Sequence, residues 1–302
     1  MKLIKKQLVT GLIIMTGTTY AHATSDVPLV FAQTYVSAGA AAEFGGNIVA
    51  TTYFVGGASN SINGNIQAGT AITLGASSTS SDWTSSGTAT TLGAGVVVSG
   101  MVNHGTALTL GASASSGGAS NSALSMSYAS GEVTAARGGF SSSDDGESIK
   151  NHLNSRMDVN TTLNPRSGVD LHGVDGNNDP VATNIISSNL VVYNLASLTT
   201  AANVTLKLTC GVNYVFNIAD MLSLGAGTTI EMATGTQCPT LPTIPNTVTW
   251  NLGGYASVGE DAVMIGDVLA NGYISTGVNS EMNGKLHSET SYVTIGASGQ
   301  AN

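Results

Sequence analysis

Residues 28 to 117 repeat with a period of eighteen, and no other feature constrains the fold so tightly. Gly46-Asn47-Ile48-Val49-Ala50-Thr51-Thr52-Tyr53-Phe54-Val55-Gly56-Gly57-Ala58 is followed in register by Gly64-Asn65-Ile66-Gln67-Ala68-Gly69-Thr70-Ala71-Ile72-Thr73-Leu74-Gly75-Ala76. Further units start at Asp82 and Gly100, and a weaker one at Pro28. Place twelve of every unit is glycine (Gly39, Gly57, Gly75, Gly93, Gly111) and place thirteen is alanine (Ala40, Ala58, Ala76, Ala94, Ala112). Place seven is threonine (Thr34, Thr52, Thr70, Thr88, Thr106). A short fixed period with glycine at one phase is the signature of a β-solenoid. Each unit is one coil, and stacked coils share a core that no coil buries by itself.

Side chains along a strand alternate faces. Places nine and eleven carry Ile72 and Leu74, Leu108 and Leu110, and so point inward. Places three and five (Ile48 and Ala50, Ile66 and Ala68) and places fifteen and seventeen (Ala42 and Phe44, Val96 and Val98) do the same. This predicts three short strands per coil and a triangular section. The glycine at place twelve marks a corner, with either a positive φ or close approach of the next coil. Places eight and ten point outward and read Ala71 and Thr73, Ala89 and Thr91, Ala107 and Thr109. They form a ladder of small uncharged side chains.

Composition agrees with this reading. Charged residues make up 9% of the 302-residue chain, against roughly 25% in an ordinary globular protein, so the surface must be built from Ser, Thr and Asn. Such a composition also suits a disordered linker, but the regular Ile, Val and Leu phase argues against one. Lys2, Lys5 and Lys6, the apolar run Leu8 to Tyr20 and the small-x-small site Ala21-His22-Ala23 read as a secretory signal. Cleavage near Ala23 would leave a chain that starts at Thr24 and is secreted, to the medium or the periplasm. Loss of three lysines takes the net charge from −9 to about −12. Nucleic acid and anionic membranes are poor partners for such a chain. No later stretch reaches the ~18 apolar residues of a membrane helix. Cys210 and Cys238 are the only cysteines, and in a secreted chain the simplest reading is one disulfide.

Beyond the repeats, Ser143-Asp144-Asp145-Gly146-Glu147 resembles a helix start, and Ile149, Leu153 and Met157 follow at helical spacing. A short amphipathic helix over about 145–157, packed alongside the solenoid, is expected. Asp170, Asp175, Asn177 and Asp179 crowd a loop over 159–183, but their spacing does not match a calcium loop. Strands resume from Asn189, over Leu190 to Tyr193, Val204 to Leu208, Tyr214 to Ile218, Leu222 to Leu224 and Thr229 to Met232, with a break at Pro239, Pro242 and Pro245. The period then returns in Tyr255-Ala256-Ser257-Val258-Gly259, Tyr273-Ile274-Ser275-Thr276-Gly277 and, one residue late, Tyr292-Val293-Thr294-Ile295-Gly296. Here Tyr stands at place eight, and Ser257, Ser275 and Thr294 stand at place ten. The chain thus divides into a signal peptide (1–23) and one all-β solenoid domain (24–302). The domain comprises N-terminal coils (28–117), a linker with the helix and loop (118–188) and C-terminal strands and coils (189–297).

Five stretches carry a resemblance to a known family: Val215-Phe216-Asn217-Ile218; Leu224-Gly225-Ala226-Gly227-Thr228; Val248-Thr249-Trp250-Asn251-Leu252-Gly253-Gly254; Gly266-Asp267-Val268-Leu269-Ala270; and Asn283-Gly284-Lys285-Leu286. In this order and spacing they resemble the C-terminal half of the DUF3494 ice-binding proteins. The resemblance covers about residues 145 to 297. It implies a discontinuous β-solenoid, in which coils adjacent in space need not be adjacent in sequence, with a helix alongside. It also implies a flat outer face that binds ice. The segment Ser143 to Val159 is shorter and poorer in alanine than the family's helix.

The residues bear on three function classes. His104, His152, His172 and His287 sit in no metal or triad motif, so no catalytic residue, metal ligand or cofactor site is assigned. His104 falls at an inward place or at a corner and reads as structural, while Asp144 with Asp145 and Glu260 with Asp261 read as solvated turns. For ice binding, coils stack every ~4.8 Å and outward residues along a strand lie ~6.7 Å apart. That spacing offers a lattice of methyls and hydroxyls able to hold ordered water. The ice-binding candidates are Ala71, Thr73, Ala89, Thr91, Ala107, Thr109, Ser257, Ser275 and Thr294. The alternative is a secreted structural or adhesive solenoid that binds glycans or other surface proteins. Its candidates are Tyr35, Tyr53, Tyr255, Tyr273 and Tyr292, which would form an aromatic ladder if adjacent in the fold.

Overall fold

The computed structural model describes residues 28–117, 184–187, 190–208, 213–232 and 248–302. Regular structure there is all strand, arranged in three sheets of 11, 10 and 10 strands. The helix expected over 145–157, the segment 1–23, the loop over 159–183 and both cysteines lie outside the described residues.

The predicted parity is seen in burial. Ile48, Ile66, Ile72, Val96 and Val98 are each 0% exposed, and Ala50, Ala68, Leu74 and Leu92 are 1%. Each full coil crosses the three sheets once, and neighbouring coils pair in parallel. Ala71, Ala89 and Ala107 are register partners, as are Thr73, Thr91 and Thr109. Among the described residues the one antiparallel pairing joins Asn184–Ser187 to Leu190–Leu195.

The stack is discontinuous in sequence. Val30–Ala32 lies between Ile48–Ala50 and Leu286–Ser288, with Val30 opposite both Ile48 and Leu286. The first repeat coil therefore sits in the middle of the stack, against the last one. The N-terminal coils climb away from this seam to one end. The C-terminal coils start at the other end and climb in the same direction to reach it. The late Tyr292 is accommodated at a corner: Val268 faces Leu286 eighteen residues on, whereas Ile274 faces Val293. The extra residue thus lies between Ser288 and Val293. There the Thr290 hydroxyl donates to the Asn271 carbonyl over 2.5 Å.

Two corner devices hold the coils in register. At place twelve the close approach, and not a positive φ, requires glycine. A Cβ on Gly75 would lie 2.5 Å from the Gly57 carbonyl carbon, and one on Gly277 would lie 2.4 Å from the Glu260 nitrogen. The left-handed conformation falls two residues later, at Ser59 (φ 61°), Ser77 (φ 60°), Asp261 (φ 55°) and Asn279 (φ 55°). At place seven the hydroxyls of Thr52, Thr70, Thr88 and Thr106 each donate to the carbonyl of the threonine one coil below. The distances are 2.6 Å for Thr52 to Thr34, 2.5 Å for Thr70 to Thr52 and 2.7 Å for Thr88 to Thr70. Side chain and backbone N–H share the carbonyls of Thr34, Thr52, Thr70 and Thr88, so each of these corner carbonyls has its donors.

The core changes along the axis. In the C-terminal coils Phe216 stacks on Trp250 at 4.0 Å and on Tyr193 at 4.8 Å, and Trp250 Nε1 donates to the Ile265 carbonyl. Towards the other end the inward places carry Thr84, Ser86 and Thr90, each at most 1% exposed, with the Ser86 and Thr90 hydroxyls 2.9 Å apart. His104 is also buried there, at 1%.

Candidate functional site

The three sheets present different exteriors. Outward residues of the first sheet are largely covered: Phe31 at 1%, Leu269 at 3% and His287 at 0% are buried, and Val49, Asn103, Val215 and Thr249 are half-buried. The third sheet is exposed and carries charge over part of its length, with Glu43, Glu231 and Lys207 on its outside and a Lys207–Glu231 pair at 3.8 Å, while Ser61, Thr79, Val97 and Ser115 continue the row uncharged. The second sheet combines exposure with an absence of charge.

Its strand order runs Ala107–Leu110, Ala89–Leu92, Ala71–Leu74, Tyr53–Gly56, Tyr35–Ala38, Val293–Ile295, Ile274–Thr276, Ala256–Val258, Leu222–Leu224 and Leu198–Thr199. This order joins the two candidate sets. Place eight reads Ala107, Ala89, Ala71, Tyr53, Tyr35, Tyr292, Tyr273, Tyr255 and then Met221. Place ten reads Thr109, Thr91, Thr73, Val55, Ser37, Thr294, Ser275, Ser257, Ser223 and Thr199. All nine small-residue candidates and all five tyrosines share one sheet exterior.

The tyrosines form a continuous column. Ring centroids are 4.9 Å apart for Tyr53–Tyr35, 4.8 Å for Tyr35–Tyr292, 5.3 Å for Tyr292–Tyr273 and 4.6 Å for Tyr273–Tyr255, with planes within 14° of parallel. The spacing is that of the backbone coils, so the fold itself dictates the stacking. At one end the Tyr255 hydroxyl lies 3.1 Å from the Met221 sulfur. At the other end Tyr53 adjoins Ala71, and Tyr53 (38%) and Val55 (39%) are exposed. Partial burial, followed by the neighbouring phenols, pushes Tyr35 and Tyr273 above the ordinary phenol value of 10.0. Beside the column the Thr294 hydroxyl donates to Ser275 Oγ at 3.0 Å.

The face therefore has a step. Three coils offer only methyls and threonine hydroxyls; the next five carry aromatic rings at place eight. Ser37 and Val55 were readable from the period but were not singled out. Ser223, Thr199 and Met221 were hidden because the coil offset grows to 34 residues between Met221 and Tyr255. Glu260 and Asp261 are exposed at a corner, as their solvated-turn reading expects. No cluster of His, Cys, Asp and Glu able to hold a metal occurs among the described residues. Nor does any helix there have the length and apolarity to cross a membrane.

The Ice-binding-like family matches residues 87–299, more than two thirds of the chain. No curated protein matches. Similar solved structures include an ice-binding protein from the Antarctic ascomycete Antarctomyces psychrotrophicus. It is 17% identical, with a TM-score of 0.42, over 91% of this chain and 93% of that one. An antifreeze ice-binding protein from an Arctic yeast is 15% identical, with a TM-score of 0.41, over 91% and 89%. An ice-binding protein from an Antarctic Flavobacteriaceae bacterium is 12% identical, with a TM-score of 0.29, over 92% and 82%. On the extent of the family match, the chain belongs to the Ice-binding-like family.

Proposed function

We propose that this protein acts outside the cell as an ice-binding protein, through the small-residue terrace of the second sheet. Ala71, Thr73, Ala89, Thr91, Ala107 and Thr109 are its contact residues. The observation that carries this reading is the contrast among the three exteriors. The first is largely covered, the third is interrupted by Glu43, Lys207 and Glu231, and the second alone of the three is open with no charge in either outward row along its whole length. Charges bind water in their own geometry and disturb an ordered layer. Methyls at coil spacing leave water free to order, and the threonine hydroxyls anchor it by hydrogen bonds. The serine and threonine row continues past the step through Ser37, Thr294, Ser275 and Ser257, where the rings flank it. The lysine-rich start and the small-x-small site at residues 21–23 support export.

Thr91→Tyr is the sharpest test. Thr91 is exposed at the middle of the terrace, between Thr73 and Thr109, so its replacement should change stability by no more than about 0.5 kcal/mol. A ring there lifts an ice plane off the neighbouring threonines. Thermal hysteresis and recrystallisation inhibition should fall sharply at an unchanged melting temperature. Equal inhibition by both proteins would place the active surface elsewhere.

A further inference from the structure

We propose that the tyrosine column and the hydroxyl row beside it form a second binding surface, for an uncharged polysaccharide chain lying along the solenoid axis. Five aromatic side chains on an exterior are not needed by the core, whose inward places are already filled. Stacking fixes each ring between its neighbours at 4.6–5.3 Å, so contact with a partner costs little further side-chain freedom. What the column presents is a regular series of ring edges and phenol hydroxyls. Two residues along each strand, ~6.7 Å away, Ser37, Thr294, Ser275 and Ser257 present a second series of hydroxyls.

The partner must match three properties of this surface: no charge, a repeat close to the coil spacing, and alternating apolar and hydroxyl contacts. A polyanion or polycation finds no counter-charge here. An extended chain of β-linked pyranoses carries apolar C–H faces rimmed with hydroxyls, and its sugars follow one another at a step close to the coil spacing of ~4.8 Å. Ring faces within the column are covered by their neighbours, so the sugars meet ring edges and phenol oxygens. Tyr53 differs: its outer neighbour is Ala71, so it offers an aromatic face to the sugar at that end, beside exposed Val55. A flat ice plane resting on the alanine terrace does not reach the same level as the rings. The two surfaces are therefore separable.

The test uses the whole protein, sedimented with microcrystalline cellulose and with chitin at room temperature, where no ice exists. Wild type should be retained by at least one polymer. Tyr35→Ala with Tyr273→Ala should weaken retention about tenfold or more, while Thr91→Tyr should leave it unchanged and lose ice inhibition. If the alanine pair melts early, Tyr35→Phe with Tyr273→Phe keeps the rings and removes two hydroxyls; a drop of about threefold then supports the surface, and no drop overturns it. Wild type that stays in solution with both polymers overturns it as well. So does a column variant that loses ice inhibition while polymer retention is unmoved, since the column would then belong to the ice-binding surface.

Discussion

Two positions show at the residue scale how narrow the tolerances of a coil are. Leu92 is 1% exposed and stands between Leu74 and Leu110 in the inward stack. Leu92→Asp buries a carboxylate with no partner, at a cost of several kcal/mol, roughly, or forces its protonation. The melting temperature should drop steeply or the protein should fail to accumulate; a melting curve like that of wild type would refute the parity assignment. Gly75 is limited differently. A methyl there meets backbone, with the Gly57 carbonyl carbon at 2.5 Å, and backbone cannot rotate aside as a side chain can. Gly75→Ala should cost about 1–3 kcal/mol by overpacking. The need for glycine at this corner was legible in the sequence; its reason was not. Two explanations fitted, and only coordinates separate close approach at place twelve from the left-handed residue at place fourteen. The threonine at place seven is similar: its recurrence was plain, but its carbonyl partner lies one coil below and is invisible along the chain.

At the scale of one element, the second sheet joins what the sequence kept apart. Each rung was readable, because strand parity is local and the period fixes the phase. That alanine–threonine rungs and tyrosine–serine rungs belong to one exterior depends on the chain's jump from one end of the stack to the other, which no local pattern encodes. The strands Asn184–Ser187 and Leu198–Thr199 also went unread, because irregular coil lengths break the period there. The column carries its own pH prediction. Burial and then neighbouring phenols raise Tyr35 and Tyr273 above 10.0 in the folded protein. A group whose folded pKa lies above its unfolded one holds its full stabilising contribution below the unfolded value. It loses that contribution as pH rises through the folded value. The melting temperature should therefore be insensitive to these tyrosines below pH 10 and fall as pH climbs beyond it. Tyr35→Phe with Tyr273→Phe should blunt the fall. Identical alkaline profiles for both proteins would show that the column does not resist ionisation.

On the scale of the whole molecule, the seam makes one stack of two blocks that are distant in sequence. Val30–Ala32 pairs with Leu286–Ser288, Tyr35–Ala38 with Val293–Ile295 and Glu43–Phe44 with Gln300–Ala301. His287 Nε2 lies 2.7 Å from the Pro28 carbonyl, and Tyr35 stacks on Tyr292 across the same junction. Neither block can propagate its core across the junction without the other, and contacts of such sequence separation form late. Nearest-neighbour coupling in a solenoid makes cooperativity depend on every interface between coils. Removing residues 285–302 deletes the coil on which the first repeat coil rests and exposes the inner edges of both blocks. The tyrosine column also loses Tyr292 and is cut into two pairs. Calorimetry of wild type should then show one dominant transition for the described coils. The truncated chain should show either two smaller ones at lower temperature or none. A truncated protein that keeps a single transition at the wild-type temperature would mean that the blocks are stable apart. The joint between first and last coils would then be a contact rather than the bond that makes the solenoid one body.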